Sequence, residues 1–387
     1  MPREHQEEAM SVWDRLVGQP EIVGQLRIAA AGERPGHAWL VVGPAGSGRS
    51  VAALAFAAAL QCETRTGCGI CRPCREVLAG THPDVTGVAT EGLSLGVKQM
   101  RELAPLASSA PTVGRARVII VADADRLTEA AGNVLLKPLE EPGAATVFLL
   151  CAPATSDVLP TVRSRCRVAA LRLPSLSDVA AVLTAEGVSR ELAVFAAAAA
   201  GGHVGRARRL ARDEGARERR SSVLRLPRSL RTVGGAIEAA AELVRAAEDE
   251  AAARAGERNG PETAALKQAL GVGVRGVSAR GTARPLKELE AEQKSRLTRA
   301  KRDALDRALI DLAGWYRDVL VQQLGAGQVV REVHSDQTAA VATLARAYTP
   351  EAVLRCVEAV LACREAIALN VAPLLACEAM ALTLRSP

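Results

Sequence analysis

Five apolar residues, Ala38 to Val42, run straight into Gly43-Pro44-Ala45-Gly46-Ser47-Gly48-Arg49-Ser50 and on into an alanine-rich stretch from Val51 to Leu60. No other part of the chain constrains the fold as tightly. A strand, a glycine-rich turn and a helix in that order form a phosphate-binding loop. The glycines let backbone N–H groups curl round a phosphate, and the helix N-terminus adds its positive dipole end. Gly43, Gly46, Ser47 and Gly48 form the candidate cradle, and the Ser50 hydroxyl stands where a magnesium ligand belongs. The position that normally carries lysine holds Arg49. A guanidinium is wider and flatter than an ammonium and does not simply replace it. Two alternatives follow: a working ATPase using ATP and Mg2+, or a loop kept for another purpose.

A second nucleotide motif bears on that choice. The apolar strand Val118 to Val121 ends in Ala122-Asp123-Ala124-Asp125. Asp123 fits the place of a second magnesium ligand. The next position, where a glutamate would polarise the attacking water, is Ala124, and a methyl group cannot act as a base. Asp125 is one residue further on with a shorter side chain, and reads as a cap or a solvent-facing group. Hydrolysis is therefore expected to fail at two independent points, while the glycines and Ser50 leave nucleotide binding open.

Four of the nine cysteines are clustered as Cys62, Cys68, Cys71 and Cys74, with Gly67, Gly69 and Pro73 between them. In a reducing compartment these thiols stay reduced, and four thiolates at such spacing suit a tetrahedral zinc ion. A closed all-sulfur shell leaves no place for water, so the expected role is structural. A redox pair is the competing reading. The remaining cysteines, Cys151, Cys166, Cys356, Cys363 and Cys377, sit among apolar or helical residues and are expected to be small buried hydrophobes.

Continuous apolar runs at 38–42, 117–121 and 146–151 alternate with helical patterns, as in an α/β domain whose parallel strands are covered on both faces. After Pro174 the strand signals stop. Three short helices are expected over 176–186, 190–200 and 204–212, then a bundle to the end, with an amphipathic pattern at Leu297, Leu305, Ala308, Leu312, Trp315, Tyr316 and Val319. Gly271, Gly273, Gly276 and Gly281 within 256–284 suggest a flexible basic loop. The expected division is 1–173 for the α/β domain with its cysteine module, 174–215 for a helical lid, and 216–387 for a helical domain suited to oligomerisation.

The 387-residue chain has a net charge of +6 and 2% aromatic residues. The charge permits contact with nucleic acid without demanding it, and the scarcity of aromatics excludes binding of single strands by base stacking. The arginines at 206, 208, 209, 212, 217, 219 and 220, interleaved with acids, read as a solvated helix face. No apolar run reaches membrane-spanning length and the polar start is no signal peptide, so a cytoplasmic protein with no membrane partner is expected. Met10 offers a second start, which leaves residues 1–9 expected to be unstructured or not native.

Taken in order, these motifs resemble the clamp-loader branch of the AAA+ family. The resemblance rests on Leu16-Val17-Gly18-Gln19, His37-Ala38-Trp39-Leu40, the P-loop, the cysteine module, His82-Pro83-Asp84, Asn133 to Pro142, and Arg163-Ser164-Arg165-Cys166. It is strong over the first half of the chain and weak beyond it. Within the family the pattern is similar to the delta-prime branch of the bacterial DNA polymerase III clamp loader, whose ATPase residues have decayed. The alanine- and arginine-rich composition suits an actinobacterial source. Arg49, Ala124 and Gly205 each depart from the ATP-hydrolysing gamma/tau branch.

The resemblance implies an AAA+ domain with an inserted zinc module, a helical lid and a helical collar. It implies that Arg165 reaches the ATP of a neighbouring subunit as an arginine finger, and that Lys137 faces the same site. Implied partners are the gamma/tau and delta subunits, the sliding clamp and primed DNA, the last contacted through its backbone. The chain would have no turnover of its own within the polymerase holoenzyme. The competing readings are an active gamma/tau-like motor and a zinc-ribbon nucleic-acid-binding protein.

Overall fold

The computed structural model describes residues 11–90, 94–270, 279–330 and 333–386; the expectation about residues 1–9 lies outside them. The chain divides into two compact units, one ending at Ala211 and the other beginning at Arg212.

The first unit is built on a parallel sheet. A four-residue 3-10 turn, Val12–Arg15, and α1 (Pro20–Ala31) precede β1 (Ala38–Val42) and α2 (Arg49–Gln61). Then come α3 (Arg72–Leu78), β2 (Val85–Val88), α4 (Val97–Ser108), β3 (Arg117–Val121), α5 (Glu129–Glu140), β4 (Thr146–Ala152), α6 (Pro160–Arg163) and β5 (Arg167–Ala170). The strand order is β2-β3-β4-β1-β5, every pairing is parallel, and Val41 lies opposite Cys151. Every residue of β1 and β4 is buried, which is why these strands read as unbroken apolar runs. One face of the sheet packs Trp39, Val41, Leu149 and Cys151 against the alanine-rich α2. The other packs Leu40, Phe148 and Leu150 against Leu103 of α4 and Leu135 of α5. The expected α/β class is observed.

Three helices close this unit: α7 (Leu176–Ala185), α8 (Arg190–Ala199) and α9 (Val204–Arg212). They lie within a residue of their expected bounds. Ser175 and Ser189 start the first two, their hydroxyls accepting from backbone N–H groups three residues on.

The second unit is helical: α10 (Glu214–Ser229), α11 (Val233–Ala269), α12 (Ala279–Gln323), α13 (Thr338–Ala347), α14 (Pro350–Ala368) and α15 (Pro373–Arg385). Leu305, Leu309, Leu312, Trp315, Tyr316 and Val319 form the buried stripe of α12. They share one core with Leu243 of α11, Val353 and Val360 of α14, and Met380 and Leu384 of α15. Each such fully buried side chain contributes about 1.5–3 kcal/mol. Trp315 and Tyr316 meet edge to face at 5.2 Å.

Two expectations need correction, and one strand was not foreseen. The loop at 256–284 is mostly helix: α11 continues to Ala269 and α12 begins at Ala279; residues 271–278 lie outside those described. Arg220 is not on a solvated face. It is buried, within ion-pair distance of Asp311 (3.8 Å) and Asp336 (3.1 Å). The strand β5 carried no sequence signal, because it is an edge strand with only Ala169 buried.

Among the other cysteines, Cys151, Cys356, Cys363 and Cys377 are buried as expected, and Cys166 is half-buried.

Candidate functional site

The phosphate loop has the backbone its glycines allow. Gly46 and Gly48 take positive φ (92° and 93°), and Gly48 caps α2. Two of the chain's own side chains lie against it. The Arg49 guanidinium does not extend away from the loop: its NH1 donates back to the Gly43 carbonyl. His203, in the turn between α8 and α9, lies against Gly46. A Cβ built on Gly46 would sit 2.6 Å from His203 Cβ and 2.8 Å from its Cα. The Ser47 side chain is buried with no hydrogen-bond partner at Oγ, while Ser50 is exposed. In the run Gly201 to Arg206, where Gly205 departs from the gamma/tau branch, it is His203 that meets the loop, a contact that could not be read from sequence. The backbone N–H of Arg206 donates to His203 Nδ1 at 3.3 Å.

Gln19 explains the Leu16-Val17-Gly18-Gln19 motif. Its buried amide donates to the Arg172 carbonyl and accepts from the Arg172 N–H at 3.2 Å, and Nε2 lies 3.5 Å from the Ser47 carbonyl. It fastens the loop to the segment that follows β5. Asp123 follows β3 and accepts from the Thr90 N–H at 2.9 Å. Ala124 beside it is buried. Burial raises the Asp125 carboxyl, and the Asp123 charge adds to that rise.

The His82-Pro83-Asp84 motif is structural. Asp84 is fully buried and accepts from the N–H groups of Thr112 (2.6 Å), Val113 (2.8 Å) and Gly114 (2.6 Å). Arg117 lies 3.1 Å away. Burial pushes this carboxyl up, but the three amides and the guanidinium outweigh it and hold it down at about 2.

Arg165 lies on the turn between α6 and β5. Its Nε donates to Glu140 Oε1 at 2.9 Å, and its NH1 to the Thr161 carbonyl at 2.6 Å and the Ser164 hydroxyl at 3.1 Å. Lys137 is exposed on α5, one turn before Glu140. The structure thus brings the last turn of α5 and the Ser164-Arg165-Cys166 turn together through Glu140, a residue sequence reasoning passed over.

The cysteine module sits between α2 and α3. Cys62 caps the end of α2, and Cys71 the start of α3. All four sulfurs lie within 4.8 Å of one another. Cys62 Sγ is 3.7 Å from Cys68 Sγ and 3.9 Å from Cys71 Sγ. A tetrahedron of metal–sulfur bonds of ~2.3 Å has sulfur–sulfur edges of ~3.8 Å, so these residues could hold a metal ion. Burial pushes the Cys62 thiol up, but the Thr64 side chain and the amides of Cys68, Thr64 and Gly67 outweigh it and bring it down to about 5. Cys74 is pushed up, first by burial and then by its sulfur neighbours. Four adjacent thiolates thus need a cation to coexist.

The module is stapled to the N-terminal turn. The Val12 N–H and the Ser11 hydroxyl both donate to the Gly67 carbonyl at 3.0 Å, and Trp13 Nε1 donates to the Thr66 carbonyl at 2.8 Å.

The chain is similar to several subunits of DNA polymerase III. The family model described as "DNA polymerase III, delta subunit" matches residues 18–175. A DNA polymerase III subunit delta' of Pseudomonas aeruginosa is 36% identical over 200 residues, covering 49% of this chain and 59% of that protein. Its counterpart in Escherichia coli is 38% identical over 166 residues, 42% of this chain and 50% of that protein. A DNA polymerase III subunit gamma/tau of Mycobacterium tuberculosis is 36% identical over 154 residues, 39% of this chain and 27% of that protein. The matched part of this chain spans about half the length of the two delta' relatives. Among the described residues, no helix is long and apolar enough to cross a membrane.

Proposed function

We propose that this chain, which over residues 18–175 is similar to DNA polymerase III delta and delta' subunits, belongs to the clamp-loader delta-prime family and is a fixed, ATPase-deficient subunit of a bacterial clamp loader. In this reading Arg165 serves ATP bound by the adjacent subunit, with Lys137 facing the same site. One contrast carries the proposal. The chain's own phosphate loop carries Arg49 folded back on Gly43 and His203 packed against Gly46, while the Arg165 side chain on the turn after α6 is about a third exposed. An arginine supplied in trans stabilises charge on the transferring phosphoryl group and is worth ~10^3–10^5 in rate. A subunit that neither binds nor hydrolyses ATP can still supply it.

The partners under this proposal are the gamma/tau and delta subunits, the sliding clamp, and primed DNA contacted through its phosphates. The place of action is the cytoplasm. The three-part division into an AAA+ domain, a lid at 174–215 and a collar at 216–387 belongs to the same proposal. The cysteine module takes zinc: four soft thiolates in tetrahedral reach select it over oxygen-seeking cations, and a closed shell makes it structural.

The gamma/tau match favours a second reading, an active motor. Reconstitution with motor and clamp-opening subunits separates the two. On the proposal, Arg165→Ala enters the complex and lowers its ATPase, and the isolated chain hydrolyses nothing. Undiminished ATPase in that complex counts against it, and Asp123-dependent hydrolysis by the isolated chain supports the motor.

A further inference from the structure

Two thiols meet inside the helical unit, apart from the cysteine module. Cys363 lies on α14 and Cys377 on α15, fourteen residues apart in sequence, with their sulfurs 3.9 Å from each other. Both belong to the core that α11, α12, α14 and α15 share, Cys363 at 4% exposure and Cys377 at 0%. The turn between the helices brings them together. α14 ends at Ala368, Asn370 takes the left-handed conformation (φ 70°), and Pro373 begins α15.

Packing accounts for the burial of two small side chains; it does not require sulfur to face sulfur. A metal site does not account for the pair either. Among the described residues, the cysteine module is the one group of three or more cysteine, histidine or carboxylate side chains close enough to share an ion. Two sulfurs alone fall short of the shell a thiolate-bound metal takes.

The contact also makes the two thiols unequal. Its hydrogen bond to Cys377 holds the Cys363 thiol below the usual range, against the effect of burial. The same contact, with burial, pushes Cys377 up. One sulfur is the readier thiolate and the other a protonated thiol beside it, which is what oxidation to a disulfide uses. Leu374, Leu375 and Leu382 of α15 are exposed, so the core holds one face of this helix, and its local opening admits a small oxidant.

We infer that Cys363 and Cys377 form a peroxide-sensitive dithiol that closes to a disulfide and latches α14 to α15. The Cys363 thiolate attacks one oxygen of hydrogen peroxide. The O–O bond breaks, a sulfenic acid forms, and the departing hydroxide takes up the proton that Cys363 released. The Cys377 thiol then attacks the Cys363 sulfur. The S–S bond forms, and the sulfenic oxygen leaves as water with the Cys377 proton. Two electrons pass from the thiols to the peroxide, which ends as two waters. A dithiol reductant reverses the closure. The latch does not depend on the clamp-loader reading.

The test treats the zinc-saturated full chain with hydrogen peroxide and maps its disulfides by peptide mass spectrometry. The expected product is a Cys363–Cys377 link, lighter by two hydrogen atoms and reopened by dithiothreitol. In the linked chain, amide hydrogen exchange across α15 should slow on the order of 100-fold, because closing a loop of this size removes entropy from the opened state. Cys377→Ala should show neither the link nor the slowing; the mapping of the parent chain decides the matter even where that variant folds poorly. Two free thiols after peroxide, linkage to other cysteines instead, or unchanged exchange in the linked chain overturns the proposal. So does peroxide-dependent slowing that survives in Cys377→Ala.

Discussion

Arg165 is held by Glu140 of its own chain, with Nε 2.9 Å from Oε1 and the outer nitrogens on Glu140, Thr161 and Ser164. The two side chains are 32% and 49% exposed. An ion pair this wet contributes about 1 kcal/mol or less. It sets where the guanidinium rests without committing it there, and a phosphate that approaches from outside can take it over.

On the proposal that Arg165 acts in trans, removing its resting partner should leave that action intact. Glu140→Gln is expected to enter the complex and keep ATPase at or above the parent level, with stability changed by no more than about 0.5 kcal/mol. ATPase assays of the reconstituted complex check this beside Arg165→Ala. Equal losses in both variants would make the pair, rather than the free arginine, the working unit.

The phosphate loop should resist simple repair. Arg49→Lys alone is expected to give no hydrolysis, because Ala124 offers no base and His203 still covers Gly46. Combined with His203→Gly, it should tighten binding of ATP and Mg2+ about tenfold, equivalent to ~1.4 kcal/mol, with hydrolysis still absent. Titration calorimetry reads the first, and phosphate release the second.

Asp84 gives the sheet unit an acid limit. Its folded value of about 2 lies below the ordinary 3.8. The stability it contributes is thus complete above pH 4 and lost as pH falls through 2, amounting to about 2 kcal/mol. Urea unfolding from pH 6 to 2 should show the parent and Asp84→Asn converging at the acid end. A gap that stays constant would place the effect elsewhere.

Mass spectrometry under native conditions should find one zinc ion per chain, and Cys62→Ser or Cys74→Ser should lose it. Gly67→Ala tests the staple separately. At φ +74°, a Cβ there would lie 2.6 Å from Val12 Cγ2 and 2.8 Å from Trp13 Nε1. The expected cost is about 1–3 kcal/mol with the metal retained, read as a lower melting temperature at unchanged zinc content.

What could be read in advance follows from how each element is buried. The strands β1, β3 and β4 lie inside the sheet, and their apolar runs announce them. The edge strand β5 exposes Arg167, Val168 and Ala170, so it has no such run. The stretch 256–284 was expected to hold a loop, yet α11 passes through Gly256 and Gly260 to Ala269; glycine in a helix costs only about 1 kcal/mol. The cysteine cluster and the loop glycines were legible because their ligand chemistry is local in sequence. The contacts of His203 with Gly46, Gln19 with Arg172 and Glu140 with Arg165 were not, because folding alone makes those pairs neighbours.

The staple between the N-terminal turn and the cysteine module has a consequence for synthesis. Val12 and Trp13 are buried, and their backbone and indole N–H groups donate to the carbonyls of Gly67 and Thr66. Those acceptors are translated more than fifty residues later. The first turn of the domain has no place to dock when it leaves the ribosome. It can dock only once the cysteine module has been made, so Val12 and Trp13 settle after residues translated later than themselves.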